Sequence, residues 1–137
     1  MPTLFDKVYG CIAASNIGSA MGAAVEGWET QEIIDKFGVL TEMLPYAHYK
    51  NYNRPGSGRM RVPGTTEDGI ERQRLMCTAI IEKGGRITAH DLARVWKRDI
   101  REELFCVRME PCDEPLWRLL LAGLHPTEVG RYSNFLG

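Results

Sequence analysis

The 137-residue chain is 44% hydrophobic and 26% charged, a composition typical of one globular domain, so we expect residues 1–137 to form a single domain. The 17 Lys+Arg and 18 Asp+Glu nearly cancel, which argues against nucleic-acid partners because sequence-independent binders need a basic excess. The sequence has neither an apolar run of about 20 residues that could span a bilayer nor the charged-then-apolar start of a secretion signal, so we expect a cytoplasmic protein without a membrane partner.

The first predicted element is a helix over residues 2–25, where apolar side chains recur near helical spacing. Residues 10–24 are dense in Gly, Ala and Ser, which allow another backbone to approach closely, so we expect this helix to be buried. A short second helix is predicted to begin with Thr30 as its cap. It should run through Phe37 and stop at Gly38, which suits a left-handed conformation.

Residues 39–65 contain many Pro, Gly and Asn residues, and the pattern predicts a long loop with little regular structure. Its aromatic residues, Tyr46, Tyr49 and Tyr52, together with His48, are consistent with two interpretations. They form a substrate rim, or they attach the loop to the core, because tyrosines often bury an apolar body while keeping a polar tip in water. The sequence leaves both open.

Helical periodicity resumes over residues 67–83 and is predicted to stop at Gly84 and Gly85. The expected inner face of this helix consists of Ile70, Leu75, Met76, Ala79 and Ile80. No Val/Ile/Thr alternation typical of strands occurs anywhere, so the predicted fold class is all-α.

Two further helices are expected. Thr88 and Asp91 have the spacing of a capping box and are predicted to open the first of them. Its apolar stripe comprises Leu92, Val95, Trp96, Ile100 and Leu104, and we expect Trp96 in the core. The last helix is predicted from about Asp113, with Pro115 in its first turn, to about Leu124.

The four cysteines include no Cys-x-x-Cys pair and no histidine placed to complete a zinc site, so reduced thiols are expected. Cys11 and Cys77 lie in apolar stretches, and we expect them to pack as small hydrophobic residues without a chemical role.

The clearest chemical signal is the segment Thr66-Glu67-Asp68 at the junction of the long loop and the third helix. In one interpretation Thr66 caps the helix, and the two carboxylates complement the positive end of its dipole. In the other the segment binds a hard metal ion, since magnesium prefers carboxylate and hydroxyl oxygens. Capping signals are commoner than metal sites, and periodicity does not decide between the two.

Glu26 is a second candidate because it closes the glycine-rich first helix. A carboxylate at the negative end of a helix dipole is mildly unfavourable unless a cation lies nearby, and a bound metal would supply that cation. The alternative is a solvated surface side chain.

Taken together, these segments resemble the ADP-ribosylglycohydrolase family. Gly10–Trp28 is similar to the opening helix of that family, and Thr66–Gly69 falls at the place of its Thr-Asp-Asp-Thr signature. Gly84–Thr88 and Asp91–Trp96 are similar to the next turn and helix of the family. The resemblance covers about the first hundred residues, and the ordered pair of motifs makes it fairly specific.

The resemblance implies an all-α domain that binds two magnesium ions, with manganese as the alternative metal, in a cleft. There, water removes an ADP-ribosyl group from a protein side chain or a small molecule by hydrolysis of an N- or O-glycosidic bond. By position, Thr66, Glu67 and Asp68 are expected to be metal ligands. Glu26 is expected to be the catalytic acidic residue near the metal and the ribose.

The sequence departs from the family at Glu67, where the signature has Asp, at Gly69, where it has Thr, and at Ser19, where it has Asp. Nothing matches the second metal segment of the family, Asp-x-Asp-Thr. We therefore expect the N-terminal portion of a family domain, completed by a missing C-terminal half, a second chain or a second copy. The alternative hypothesis is a non-catalytic structural or interaction protein that retains the scaffold.

Overall fold

A computed structural model describes residues 1–47, 60–105, 109–110 and 112–132 of the chain. Those residues are mostly helical, which confirms the all-α prediction. The chain divides into two compact units, Met1–Ile70 and Glu71–Gly137. Within the part of the chain that the structure describes, no helix has the length and apolar character needed to cross a membrane.

The first helix, α1, spans Leu4–Ala23 and begins with a capping box. The backbone N–H of Asp6 donates to the Thr3 hydroxyl over 3.1 Å, and the backbone N–H of Thr3 donates to the Asp6 carboxylate over 2.8 Å. Each residue thus satisfies a backbone donor of the other, which fixes the start of the helix. The same hydrogen bonds from Thr3 lower the pKa of the Asp6 carboxyl group.

The prediction that α1 is buried is wrong. Within the helix only Ala20 and Ala23 are buried, and the large apolar side chains before them are exposed. The expectation that Cys11 packs as a small hydrophobic residue fails for the same reason, because Cys11 is also exposed, whereas Cys77 is partly buried. Apolar periodicity reports the character of a helix surface, but burial requires a neighbouring element, and none covers the first three turns of α1 within the described residues.

The second helix, α2, spans Thr30–Phe37. The N-cap residue is Glu29, and Thr30, which was predicted to be the cap, is the first residue of the helix. The backbone N–H of Glu29 donates to the side chain of Glu32 over 3.2 Å. The predicted stop is confirmed, since Gly38 has a φ of +65°, a conformation that glycine adopts without a steric penalty.

The long loop contains one short antiparallel ribbon, which the sequence pattern did not predict. Strand β1, Tyr46–Ala47, pairs with β2, Met60–Arg61, so that Tyr46 lies opposite Arg61. Each strand has only two residues, too short for an alternating pattern to be recognised. The predicted rim residues His48, Tyr49 and Tyr52 lie outside the described residues.

The remaining helical elements are α3 (Asp68–Lys83), α4 (Ala89–Asp99), a 3₁₀ turn (Glu102–Leu104), α5 (Asp113–Leu121), α6 (Pro126–Val129) and a final 3₁₀ turn (Gly130–Tyr132). The predicted stop after α3 is confirmed by Gly84, whose φ is +68°. The prediction of the last helix is confirmed at its start, and the helix ends at Leu121, three residues before the expected boundary.

The core of the second unit is a cluster of buried side chains from α3, α4, α5 and the segment between them, consisting of Leu75, Ala79, Val95, Ile100, Phe105, Met109 and Trp117. Trp96 packs against this cluster and against a smaller one, as expected of a core residue. The predicted inner face of α3 is partly wrong, because Met76 and Ile80 are 47% and 43% exposed. Each follows a buried residue by one position, a rotation of about 100° around the helix.

The N-terminus of α4 has the predicted capping box. The carboxylate of Asp91 accepts from the backbone N–H of Thr88 over 2.8 Å and from its hydroxyl over 2.7 Å. The Asp91 carboxylate also pairs with the ammonium group of Lys83. The Lys83 ion pair and the hydrogen bonds from Thr88 hold the pKa of Asp91 well below its usual range.

We expect Thr88→Ala to lower the free energy of unfolding by about 1 kcal/mol, because α4 loses its N-cap. The measurement is urea denaturation at neutral pH. Thr30→Ala serves as the control and should change little, since Thr30 is exposed and does not cap α2. Equal losses in both Thr variants would contradict this role of Thr88.

The pKa of Asp91 is depressed in the folded state. The contribution of the Asp91 carboxylate to stability is therefore present above the unfolded pKa near 3.8 and is lost as the pH falls.

Candidate functional site

The candidate site is an open cavity of about 320 Å³ in the first unit. The end of α1, the turn that follows it and the start of α3 form its walls. The lining residues are Ser19, Gly22, Ala23, Glu26, Glu67, Asp68 and Gly69. The structure therefore brings Glu26, Glu67 and Asp68, three of the four site residues predicted from sequence, to one cavity.

The turn after α1 positions Glu26. The backbone N–H of Val25 donates to the carbonyl of Gly22 over 3.0 Å, and that of Glu26 donates to the carbonyl of Ala23 over 3.5 Å. Gly27 then adopts a φ of +74°, which ends the turn in a conformation that other residues rarely adopt. Glu26 is consequently held, partly buried, one turn beyond the end of α1.

A second turn positions the two carboxylates that begin α3. The hydroxyl of Thr65 donates to the carbonyl of Val62 over 2.8 Å, and Gly64 between them has a φ of +87°. The backbone N–H of Ile70 donates to the carbonyl of Glu67 over 3.0 Å, which opens the helix at Asp68. The helix thus starts one residue later than a cap at Thr66 requires, and Glu67 directly precedes it.

Thr66 is partly buried but is not among the residues that line the cavity. Thr66 is therefore the one predicted site residue that does not line this cavity with Glu26, Glu67 and Asp68. Its role as a metal ligand stays a prediction.

Ser19 is a lining residue that the sequence analysis named only as a departure from the family and not as a site residue. Its hydroxyl accepts from the backbone N–H of Glu67 over 3.4 Å, a long contact that links α1 to the head of α3 within the first unit. One signal was available: Ser19, Gly22 and Ala23 follow the i, i+3, i+4 spacing that places residues on one helix face.

Residues 1–132 match the family model described as ADP-ribosylglycohydrolase. The chain belongs to the ADP-ribosylglycohydrolase family. No curated protein matches it. The family match extends well beyond the first hundred residues on which the sequence motifs lie, and it covers nearly all of the second unit as well as the first. Fold class and family are therefore established together, and the family is one of hydrolases.

The electrostatics of this family member favour a cation in the cavity. Three lining side chains are carboxylates, and among the described residues that line the cavity none is Lys, Arg or His. Glu67 and Asp68 lie at the start of α3, the positive end of the helix dipole. Glu26 follows the end of α1, the negative end of that helix dipole.

The donor set fits a magnesium ion that keeps most of its water. Carboxylate and hydroxyl oxygens are the ligands that magnesium prefers, and it commonly binds through one or two carboxylates with several waters retained. In the described ranges, no group of three or more His, Cys, Asp or Glu side chains is close enough to hold a metal ion by itself. The cavity thus offers an acidic wall for a hydrated ion, with Glu67 and Asp68 adjacent on it.

Proposed function

We propose that this chain supplies the acidic wall of a magnesium-dependent site that hydrolyses the N- or O-glycosidic bond of an ADP-ribosyl or related ribosyl group. The observation that carries the proposal is the cavity itself. The two segments that resemble the family motifs, far apart in sequence, meet there and present Glu26, Glu67 and Asp68 together. The substrate would be an ADP-ribosylated protein or a small molecule that carries the same group.

In the proposed reaction, the oxygen of a water molecule bonds to the anomeric carbon of the ribose as the bond from that carbon to the leaving nitrogen or oxygen breaks. The water loses one proton, and the leaving group gains one. Glu26 would accept the proton of the water as a general base, and the leaving group would take its proton from solvent. Glu67 and Asp68 would hold the metal, with Thr66 adjacent. When bound, magnesium or manganese would orient the ribose hydroxyls and stabilise developing negative charge.

We also propose that the site is completed by groups from outside the described cavity. One or two carboxylates bind magnesium only when other ligands or waters complete its six-coordinate shell. The ligands that correspond to the second metal segment of the family would come from a C-terminal portion, a second chain or a second copy.

We expect Asp68→Asn to weaken magnesium binding at least tenfold, because the substitution removes a charge from the acidic wall while keeping its shape. Isothermal titration with magnesium, repeated with manganese, measures the change on the protein in its native assembly. The matched control is Asp35→Asn, which makes the same chemical change on the exposed surface of α2 in the same unit. It should leave the affinity unchanged.

Two results would contradict the proposed metal site. One is equal affinity in the wild type and Asp68→Asn. The other is a thermal stability that does not respond to magnesium, to chelator or to the substitution, since a ligand that binds the folded state raises stability. Either result would favour the non-catalytic alternative, in which the chain keeps the family scaffold as a structural or interaction protein.

A further inference from the structure

Ser19 supplies an uncharged polar side chain to a cavity whose other described polar side chains are carboxylates. It is partly buried and lies on α1 beside Ala20, which is 3% exposed. The proposed reaction gives Ser19 no chemical step. Its hydroxyl oxygen nevertheless accepts from the backbone N–H of Glu67 over 3.4 Å, and this hydrogen bond crosses from α1 to the residue that directly precedes α3.

The hydrogen bond from Glu67 to Ser19 replaces one that a helix usually makes within itself. At α1 and α4, the backbone N–H of the residue before the helix donates to the carboxylate of the third helical residue, Asp6 and Asp91. The third residue of α3 is Ile70, whose side chain has no acceptor atom. Ser19, 48 positions before Glu67, supplies the acceptor instead. A cap from the same helix fixes only the helix start, whereas this one also fixes where that start lies relative to α1.

The two walls of the cavity need such a link. Gly22 on α1 and Gly69 on α3 both line the cavity, and a methyl group added at either would meet no heavy atom within 4 Å beyond the local backbone. The walls are therefore not tightly packed against each other at these positions. Carboxylates on opposite walls, Glu26 on one and Asp68 on the other, also repel each other when no cation is present. A neutral hydrogen bond resists that repulsion without adding a negative charge.

We propose that Ser19 is a positioning residue of the proposed metal site, whose hydroxyl holds Glu67 and Asp68 against the end of α1, where the turn that carries Glu26 begins. Its effect on metal binding rests on the proposed function, whereas the contact itself forms without a metal. Loss of the hydroxyl would remove no ligand and no charge, and would change only the spacing of the walls. The expected loss of magnesium affinity is therefore about two- to tenfold, the net value of one neutral hydrogen bond. It should be smaller than the loss in Asp68→Asn, which removes a charge.

The test compares Ser19→Ala, Ser19→Thr and Ser15→Ala in the full chain. Ser19→Thr keeps the hydroxyl and adds one methyl group beside a cavity of about 320 Å³. Ser15→Ala makes the same change as Ser19→Ala four positions earlier on α1, at a partly buried residue that does not line the cavity. Nuclear magnetic resonance measures hydrogen exchange of the Glu67 backbone amide without metal. Isothermal titration then measures the affinity for magnesium alone.

We expect the Glu67 amide to exchange about two- to tenfold faster in Ser19→Ala, and at the wild-type rate in the other two variants. Magnesium affinity should fall by a similar factor in Ser19→Ala only. Unchanged exchange in Ser19→Ala, or equal acceleration in Ser15→Ala, would show that the Ser19 hydroxyl does not hold the head of α3.

Two further results would overturn the positioning role. One is a loss that Ser19→Thr does not restore, and the other is faster exchange of the Glu67 amide with unchanged magnesium affinity. A wild type that binds no magnesium would instead count against the proposed function. The exchange rates measured without metal would in that case still decide whether Ser19 holds the head of α3.

Discussion

Glu26→Gln is expected to slow hydrolysis of an ADP-ribosylated protein between 10²- and 10⁴-fold, the usual loss when a general base is removed. The amide has the shape of the carboxylate but cannot accept the proton of the attacking water. Glu26 lines the cavity with Glu67 and Asp68, and its position is fixed by the turn after α1. The measurement is the rate of ADP-ribose release with saturating magnesium.

The control for Glu26→Gln is Glu42→Gln, the same chemical change at an exposed loop position of the first unit. It should hydrolyse the substrate at the wild-type rate. Magnesium affinity should fall less in Glu26→Gln than in Asp68→Asn, because the proposal assigns Glu26 to proton transfer and Asp68 to the metal. Wild-type turnover by Glu26→Gln would contradict the proton-transfer role. A wild type that binds magnesium but releases no ADP-ribose would contradict the substrate assignment alone.

Leu75→Ala is expected to lower the free energy of unfolding by about 2–5 kcal/mol, since it leaves a cavity in the main core of the second unit. Leu75 is fully buried, at 0% exposure, in the same cluster as Val95 and Trp117. Denaturation followed by tryptophan fluorescence measures the change, because Trp96 and Trp117 both belong to or pack against that cluster.

Ile81→Ala is the matched control for Leu75→Ala, because it removes an aliphatic side chain of the same size from an exposed position of the same helix. Its effect should stay within about 0.5 kcal/mol, as is usual for surface substitutions. A loss below about 1 kcal/mol for Leu75→Ala would mean that the cluster around it is not a close-packed core.

The sequence by itself determined the features that depend on a few neighbouring residues. The capping box of Thr88 and Asp91 joins residues three positions apart, and the stops at Gly38 and Gly84 depend on the conformational freedom of a single residue. Such local interactions are largely independent of what packs around the helix, so patterns at fixed spacing predict them. The family motifs are also patterns of neighbouring residues, and they indicated Glu26, Glu67 and Asp68 as candidate site residues.

Only the tertiary structure decided which surfaces are covered. The apolar residues of α1 predicted burial, and most of them are exposed, whereas Leu75 on α3 is fully buried. One rotation step along α3 separates buried Leu75 from half-exposed Met76. Hydrophobic periodicity describes the helix itself, and burial is a property of the elements that pack on it, which are distant in the chain.

The cavity also required the tertiary structure. Ser19 and Glu67 are 48 positions apart, and their contact joins the end of α1 to the head of α3. The sequence supplied the carboxylates and the helix face that bears Ser19, Gly22 and Ala23. Their convergence on one cavity joins residues far apart in the chain, which local propensities do not position relative to one another.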